Sequence, residues 1–198
     1  MFSLLSGLWQ YLFAKQTVNI LIVGLDNAGK TTLLERLKTI YLSANMAGPD
    51  AIPPTIGMNL GKMEIVGVKV IFWDLGGQQT LRSIWAHYFA EADAVVYVLD
   101  SADEERFGEA KGALDNVMGH HDLPPAAPLM ILANKRDAAG ACGTEAAGAA
   151  LGTAAFTSRP CRVEAASGLS GAGVEGAVAW LVDAASRCKK DREAQGPA

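Results

Sequence analysis

Residues 24–31, Gly24-Leu25-Asp26-Asn27-Ala28-Gly29-Lys30-Thr31, match the pattern G-x-x-x-x-G-K-[ST] of a phosphate-binding loop. The apolar run 17–24 is typical of a buried strand, and residues 31–41 carry leucines at helical spacing. Between a strand and a helix, the glycines let backbone N–H groups approach phosphate oxygens, and the positive end of the helix adds to the attraction. We therefore predict that Lys30 reaches the β- and γ-phosphates of a nucleotide and that the Thr31 hydroxyl ligates Mg²⁺. The whole stretch 24–32, which ends with Thr32, is predicted to contact the nucleotide.

The rest of the chain alternates between strand and helix patterns. Strands are predicted at 17–24, 58–66, 68–74, 94–100, 129–133 and 160–164, and helices at 31–41, 104–118 and 174–188, with one short helix inside 138–157. This alternation predicts an α/β fold with a mostly parallel six-stranded sheet flanked by helices, in which a hairpin at Gly67 makes one strand pair antiparallel. Ligands of such folds bind at the carboxyl ends of strands.

The third predicted strand ends in Trp73-Asp74-Leu75-Gly76-Gly77-Gln78. Asp74 is predicted to hold Mg²⁺, directly or through water. Gly77 can offer its N–H to a γ-phosphate because no side chain blocks the approach. Gln78 is the candidate catalytic residue, since its amide can orient an attacking water. Alone, this stretch could be an ordinary turn, but it follows a strand and lies downstream of the phosphate-binding loop.

Asn134-Lys135-Arg136-Asp137 follows the strand at 129–133 and fits the guanine pattern N-K-x-D. The Asp137 carboxylate can accept two hydrogen bonds, from N1–H and the 2-amino group of guanine. Adenine would leave that carboxylate unpaired, a mismatch that binding sites reject strongly. Lys135 is predicted to lie over the base, and Asn134 to tie this loop to the phosphate-binding loop.

A loop between the first helix and the hairpin contains Pro54-Thr55-Ile56-Gly57. Thr55 could close over a γ-phosphate and ligate Mg²⁺ through its hydroxyl. Without the other motifs it would be an ordinary loop threonine. With them, the predicted metal ligands are Thr31, Thr55 and Asp74.

Composition narrows the class of protein. The 198 residues suit one domain, predicted over 17–188, with an amphipathic N-terminal helix over 1–16 and a polar, disordered tail over 189–198. The formal net charge of −4 gives no electrostatic case for binding nucleic acid. Three widely spaced cysteines predict reduced thiols. We expect no membrane span, which takes about 20 apolar residues, and no signal peptide, because the N-terminus lacks a basic start.

With these motifs in place, the chain resembles the Arf family of small GTPases along nearly its whole length. The resemblance rests on Gly24–Asp26, Pro54–Gly57 and Trp73–Gln78, and on Trp85-Ala-His-Tyr-Phe89 and Asp100-Ser-Ala-Asp103. It implies the small-GTPase form of the phosphate-binding-loop fold, GTP or GDP with Mg²⁺ as ligands, and slow GTP hydrolysis. It also implies that Ser167 and Gly168 stand where small GTPases place a backbone N–H against guanine O6.

The resemblance further implies a switch with partners. They are a guanine nucleotide exchange factor, a GTPase-activating protein and GTP-dependent effectors. The hairpin 58–74 would slide when GTP replaces GDP and release the N-terminal helix. Within the family, the opening Ser-Leu-Leu-Ser-Gly-Leu and the run 100–106 are similar to a Golgi member. We therefore expect a cytoplasmic protein that associates reversibly with Golgi membranes and regulates vesicle trafficking.

Two departures from the family pattern affect partners. Phe2 stands in place of the glycine that accepts myristate in most Arf proteins, so membrane contact is expected from the apolar face of the N-terminal helix. Stable attachment usually takes two signals, and a membrane-protein receptor is expected to supply the second. The family's aromatic effector triad maps onto Met58, Trp73 and Tyr88, where Met58 replaces an aromatic side chain.

Two other functions remain open at this point. One is a GTP-dependent scaffold with negligible hydrolysis, against which Gln78 argues. The other is a metabolic kinase or ATPase with a phosphate-binding loop, which the guanine pattern at 134–137 opposes. The sequence has no catalytic arginine in the loop before Thr55, so an arginine finger is expected from a partner.

Overall fold

The computed structural model describes residues 15–45, 52–53, 55 and 57–195. Over these residues the strands are β1 Thr17–Val23, β2 Met58–Ile65, β3 Val68–Leu75, β4 Ala94–Asp100, β5 Leu129–Asn134 and β6 Cys161–Ala165. The α-helices are α1 Lys30–Leu42, α2 Phe107–Met118, α3 Thr144–Leu151 and α4 Val174–Gln195. The short helix predicted inside 138–157 is confirmed as α3, and the 3₁₀ turn Thr153–Ala155 follows it.

The six strands form one sheet in the order β2-β3-β1-β4-β5-β6. Every neighbouring pair is parallel except β2 and β3, whose register runs from Met58 opposite Leu75 to Ile65 opposite Val68. Val66 and Gly67 form the hairpin turn with φ of 50° and 76°, and turns of this kind need positive φ at both positions. The predicted α/β fold is thereby confirmed. The carboxyl ends of the five parallel strands share one edge of the sheet.

Both faces of the sheet are covered, because alternate residues of a strand point to opposite sides. On β1, Ile20 and Ile22 pack into a core closed by α1 and α4. Leu21 and Val23 pack into a second core, closed by α2, α3 and a 3₁₀ segment that follows β3. The apolar stripe predicted for the last helix lies in the first core: Val174, Val178, Leu181 and Val182.

The last helix extends beyond its predicted end. Residues 189–195, predicted to be disordered, continue α4 as far as Gln195. The reason is a buried carboxylate: Asp93 is only 4% exposed. Lys189 Nζ lies 2.8 Å from Asp93 Oδ2, and Arg192 Nη2 lies 2.6 Å from Asp93 Oδ1. A buried charge without partners is strongly unfavourable, so these two cations hold the last turns of the helix against the domain.

The segment Gln79–Glu91 forms 3₁₀ turns that the sequence patterns did not predict. Trp85 and Phe89 are the buried residues of this segment. The Trp85 indole N–H donates to the carbonyl of Gly76 at 2.9 Å. Long 3₁₀ runs are uncommon because their hydrogen bonds are poorly aligned, so side-chain anchors of this kind are needed. A further 3₁₀ turn, Glu104–Arg106, begins the helix predicted at 104–118.

Most of the predicted N-terminal helix, residues 1–14, lies outside the described residues. Lys15 and Gln16 are described, and they are not helical. The Lys69 N–H donates to the carbonyl of Gln16 at 3.0 Å, so the chain already joins the sheet there. This contact corrects the predicted boundary at residue 16. Of the helices that the structure describes, none is long and apolar enough to cross a membrane.

Candidate nucleotide-binding site

The loop between β1 and α1 is a tight turn that depends on residues with positive φ. Gly24, Asn27 and Gly29 have φ of 142°, 61° and 92°, values that favour glycine and, to a lesser degree, asparagine. A Cβ on Gly24 would meet the carbonyl of Val98, and one on Gly29 would meet the Asn134 side chain. The two glycines of the motif are therefore required by close packing. Leu25 and Ala28 are buried and shape the loop from behind.

Lys30 lies inside this loop. Its side chain is buried, and Nζ donates to the carbonyl of Leu25 at 2.6 Å. Burial lowers the pKa of Lys30 to about 8, while the carboxylates of Asp74 and Asp26 act in the opposite direction. A phosphate group placed beside Nζ would favour the charged form.

Binding of GDP is expected to take up a proton through Lys30. Above pH 8 the Lys30 amine is mostly neutral, so a phosphate that requires the ammonium form must bring a proton with it. Uptake should reach about one proton per nucleotide at pH 9, and affinity should fall as the pH rises through 8. Titration calorimetry with Mg²⁺–GDP in two buffers of different ionisation enthalpy measures this uptake.

Lys30→Arg supplies the test of that assignment, because arginine stays protonated throughout this range. The variant should show no uptake at pH 9. Lys38→Gln, which removes a cation paired with Glu35 further along α1, should behave as the wild type. Equal heats in the two buffers at pH 9 for the wild type would contradict the prediction.

Thr31, Thr55 and Asp74 meet at one point. Thr31 Oγ1 lies 2.7 Å from Thr55 Oγ1 and donates to Asp74 Oδ2 at 2.8 Å. Thr55 Oγ1 lies 3.4 Å from the same carboxylate oxygen. Asp74 is fully buried, burial raises its pKa, and its Oδ1 has no hydrogen-bond partner among the described residues.

This arrangement fits a divalent cation. Hydroxyl and carboxylate oxygens are the ligands that Mg²⁺ prefers, with water and phosphate oxygens completing the shell. A buried, partnerless carboxylate oxygen is otherwise unfavourable, and a cation beside it would stabilise the ionised form. The three residues predicted as metal ligands are thus brought together from α1, from the loop before β2, and from β3.

A cavity of about 270 Å³ opens beside these residues. Gly77 lies against the phosphate-binding loop so closely that a Cβ would meet the Asp26 N–H and Lys30 Nζ. Gln78 is exposed and is among the residues that line the cavity. The other lining residues are Asp26, Asn27, Gly29, Lys30, Thr31, Thr32, Ile52, Pro53 and Thr55.

A second cavity, of about 330 Å³, shares Asn27, Gly29 and Thr32 with the first and extends it towards β5 and β6. Its remaining walls are Asn134, Lys135, Asp137, Ala138, Gly168 and Leu169. Together the two cavities have the form that a nucleotide requires, with phosphates at one end and a base at the other.

Asn134 joins the loops around the base cavity. Its Nδ2 donates to the carbonyl of Ala28, and its Oδ1 accepts from the N–H of Gly168, both at 2.8 Å. Gly168 therefore lies on the cavity wall, while Ser167 is fully buried behind it. Asp137 is exposed at the cavity.

Three contacts around the site were missed from the sequence. Lys135 has φ of 63° and pairs with Asp100, Nζ to Oδ2 at 2.6 Å. Asp100 ends β4 at the ligand-binding edge, so the strand-end rule could have found it. Arg106 and Arg82 lie 2.8 Å and 3.9 Å from Asp26 Oδ1. Arg106 lies at the start of the helix predicted at 104–118, whereas Arg82 lies in the 3₁₀ segment Gln79–Glu91 that the sequence patterns did not predict.

Comparison with known proteins agrees with this geometry. A model of the ADP-ribosylation factor family matches residues 3–185. ADP-ribosylation factor-related protein 1 of Rattus norvegicus is 41% identical over 186 residues, which cover 92% of each chain. ADP-ribosylation factor-like protein 3 of Saccharomyces cerevisiae is 36% identical over 195 residues, covering 97% of this chain and 98% of that protein.

Among solved structures, the Arl6 small GTPase of Trypanosoma brucei with the bound nucleotide analogue GppNp has a TM-score of 0.76 and 31% identity. The match covers 87% of this chain and 99% of that chain. The family and fold predicted from the motifs are thereby confirmed. Members of this family bind GTP or GDP with Mg²⁺ and hydrolyse GTP. This chain belongs to the ADP-ribosylation factor family of small GTPases.

Proposed function

We propose that this protein alternates between GDP- and GTP-bound forms to regulate vesicle trafficking at Golgi membranes. Its family implies an exchange factor, an activating protein and effectors. In the proposed cycle the protein is cytoplasmic with GDP, attaches to the membrane with GTP, and is released after hydrolysis.

The meeting of Thr31, Thr55 and Asp74 carries the switch part of the proposal. Thr31 and Asp74 belong to regular elements, whereas Thr55 belongs to the loop between α1 and β2. Thr55 lines the cavity together with Ile52 and Pro53 of the same loop, and it reaches the other two only from that position. With a γ-phosphate and a cation in the cavity, the Thr55 hydroxyl would be a ligand of the cation. Hydrolysis would remove the γ-phosphate and with it the reason for the loop to stay there. The position of the loop would therefore report which nucleotide is bound.

The same residues suit GTP hydrolysis. Thr31, Thr55 and Asp74 would hold Mg²⁺, which would supply positive charge against the phosphate oxygens. Lys30 and the Gly77 N–H act on those oxygens from the other sides, and Gln78 orients the attacking water. Hydrolysis by the protein alone is slow, and an activating protein accelerates it, with any arginine finger supplied from that partner.

Effectors of the GTP form are proposed to bind the outer face of the β2–β3 hairpin. Met58 and Leu60 are 41% and 39% exposed there. Leu60 pairs across the strands with Trp73, whose ring centroid lies 5.5 Å from that of Tyr88. This surface is contiguous with Thr55 and Gly77 through the two ends of the hairpin, so a change at the nucleotide can reach it.

The membrane part of the proposal rests on the N-terminal segment. Its apolar residues include Phe2, Leu5, Trp9 and Leu12, enough for an interfacial helix and too few for a span. Lys15 is the only cation before β1, so attraction to anionic lipid is weak. Since stable attachment usually takes two signals, we propose that a membrane-protein receptor supplies the second.

Loading with GTP is expected to move the protein onto Golgi membranes, and GDP to release it. The measurement is flotation with Golgi-derived membranes in both nucleotide states. Replacing Phe2, Leu5 and Trp9 with serine should abolish flotation with GTP, because the apolar face is lost, while nucleotide binding is retained.

A matched control replaces polar residues of the same segment, Ser3, Ser6 and Gln10, with alanine; flotation should persist. Protease treatment digests a protein receptor and leaves the lipid in place. If the receptor contributes to attachment, this treatment should reduce binding. Equal flotation with GDP and GTP, or wild-type flotation of the serine variant, would refute the membrane part of the proposal.

A further inference from the structure

Four charged side chains form a network beside the phosphate-binding loop. Asp26 belongs to the phosphate-binding loop, and Arg82 to the 3₁₀ segment after β3. Arg106 ends the 3₁₀ turn that precedes α2, and Glu109 lies in the first turn of α2. Arg106 Nη2 lies 2.8 Å from Asp26 Oδ1 and 3.0 Å from Glu109 Oε2. Arg82 Nη2 lies 2.6 Å from Glu109 Oε1. Glu109 thus uses one oxygen for each arginine and joins the two.

Arg82 also contacts the backbone next to Gln78. Its Nε donates to the carbonyl of Gly77 at 2.9 Å, while its Nη2 donates to Glu109. The guanidinium is rigid and planar, so these two bonds set the Gly77 carbonyl relative to α2. That carbonyl and the N–H of Gln78 belong to one planar peptide unit. The network therefore sets the direction from which Gln78 enters the cavity.

The network contributes little to the stability of the fold. The side chains of Asp26 and Glu109 are 47% and 41% exposed, and exposed ion pairs typically contribute about 0–1 kcal/mol. Hydrogen bonds from Arg106 to Asp26 and from Arg82 to Glu109 lower the pKa of these carboxyls, which therefore stay charged at neutral pH. What the network supplies is relative position: it connects the phosphate-binding loop, the Gly77–Gln78 peptide and α2.

We propose that Glu109 is a positioning residue for GTP hydrolysis. Through Arg82 it holds the Gly77–Gln78 peptide, and through Arg106 it holds Asp26, so that Gln78 and the phosphates keep one relative placement. The inference rests on the role proposed above for Gln78. Glu109 itself has no part in binding the nucleotide.

The test is single-turnover hydrolysis of γ-labelled GTP by the full chain in excess, with Glu109→Gln, Arg82→Gln, the double variant and Gln78→Leu. Small displacements of catalytic groups reduce rates strongly, and we expect Glu109→Gln to slow hydrolysis about 10-fold. The Kd for Mg²⁺–GTP and the thermal midpoint should stay at their wild-type values. Because both changes break the same connection, the double variant should be no slower than the slower of the two single variants.

Asp115→Asn is the matched control, because it removes an ion pair with Lys111 further along α2 and should hydrolyse GTP at the wild-type rate. A wild-type rate for Glu109→Gln beside a slow Gln78→Leu overturns the role of Glu109 and leaves that of Gln78. Wild-type rates in both variants overturn both roles. Additive losses in the double variant, an equal loss in Asp115→Asn, or a weaker Kd in place of a slower rate would also overturn the proposal.

Discussion

Asp137→Asn is expected to weaken GTP binding by about 3–6 kcal/mol, since two hydrogen bonds to a charged group are lost at about 1.5–3 kcal/mol each. Asp137 is exposed at the wall of the cavity that Asn134, Lys135 and Gly168 complete. A carboxylate there can accept from both N1–H and the 2-amino group of guanine. An asparagine side chain can accept from only one of these two guanine groups. Its amide nitrogen is a donor, and it would face the second guanine donor. Competition against labelled GDP measures the change in affinity.

Xanthosine triphosphate gives the experiment a second arm. Xanthine has a carbonyl where guanine has the 2-amino group, so the amide of Asp137→Asn can donate to it. The variant should therefore prefer the xanthine nucleotide, reversing the wild-type order. Asp122→Asn, an exposed acid outside both cavities, serves as the control and should keep guanine selectivity. Equal affinity of the wild-type protein for GTP and ATP would contradict the base assignment.

The fold was predictable because its signals are local. Leu33, Leu34 and Leu37 recur at helical spacing, Gly67 between two strand patterns predicts the hairpin, and the other apolar runs predict the buried parallel strands. The motifs fall at strand ends, and parallel strands bring those ends to one edge. Residues 74, 78 and 137 could therefore be placed beside the phosphate-binding loop from sequence alone.

Features that depend on distant partners could not be predicted in this way. Residues 189–195 are polar and resemble a disordered tail. Lys189 and Arg192 nevertheless form ion pairs with the buried carboxylate of Asp93, which is about 100 residues earlier in the sequence. The 3₁₀ segment Gln79–Glu91 has no strong periodicity and depends on anchors such as the Trp85 indole. Arg82 reaches Gly77 and Glu109 only because that segment runs past α2.

At two positions of the site the structure gives a further reason for the residue type that the motifs require. The motif predicted that Gly29 lies close to a phosphate, and the structure adds that Asn134 already occupies the space of its missing side chain. Likewise Asp74 was expected to hold a cation, and its fully buried Oδ1 lacks any other partner among the described residues. Both details explain why these residue types, and no larger or less charged ones, suit their positions.

Gln78→Leu is expected to slow activator-stimulated GTP hydrolysis by about 100-fold or more, a size typical of losing a group that positions or activates the nucleophile. Gln78 is exposed and lines the cavity that Lys30, Thr31 and Thr55 also line. A leucine has similar bulk but no donor or acceptor for water. Nucleotide affinity should stay unchanged, because the contacts of Lys30, Thr31 and Asp74 are intact.

The measurement is phosphate release from GTP with a cytosolic fraction as the source of activator, beside equilibrium binding of GTP and GDP. Gln79→Leu is the matched control, since Gln79 is the neighbouring exposed glutamine and does not line the cavity. It should hydrolyse GTP nearly as the wild type does. Wild-type hydrolysis by Gln78→Leu, with a loss in Gln79→Leu, would instead assign the water to Gln79. Loss of nucleotide binding in Gln78→Leu would show that this side chain supports the site and does not orient water, because a residue that acts only on the attacking water leaves the ground-state complex unaffected.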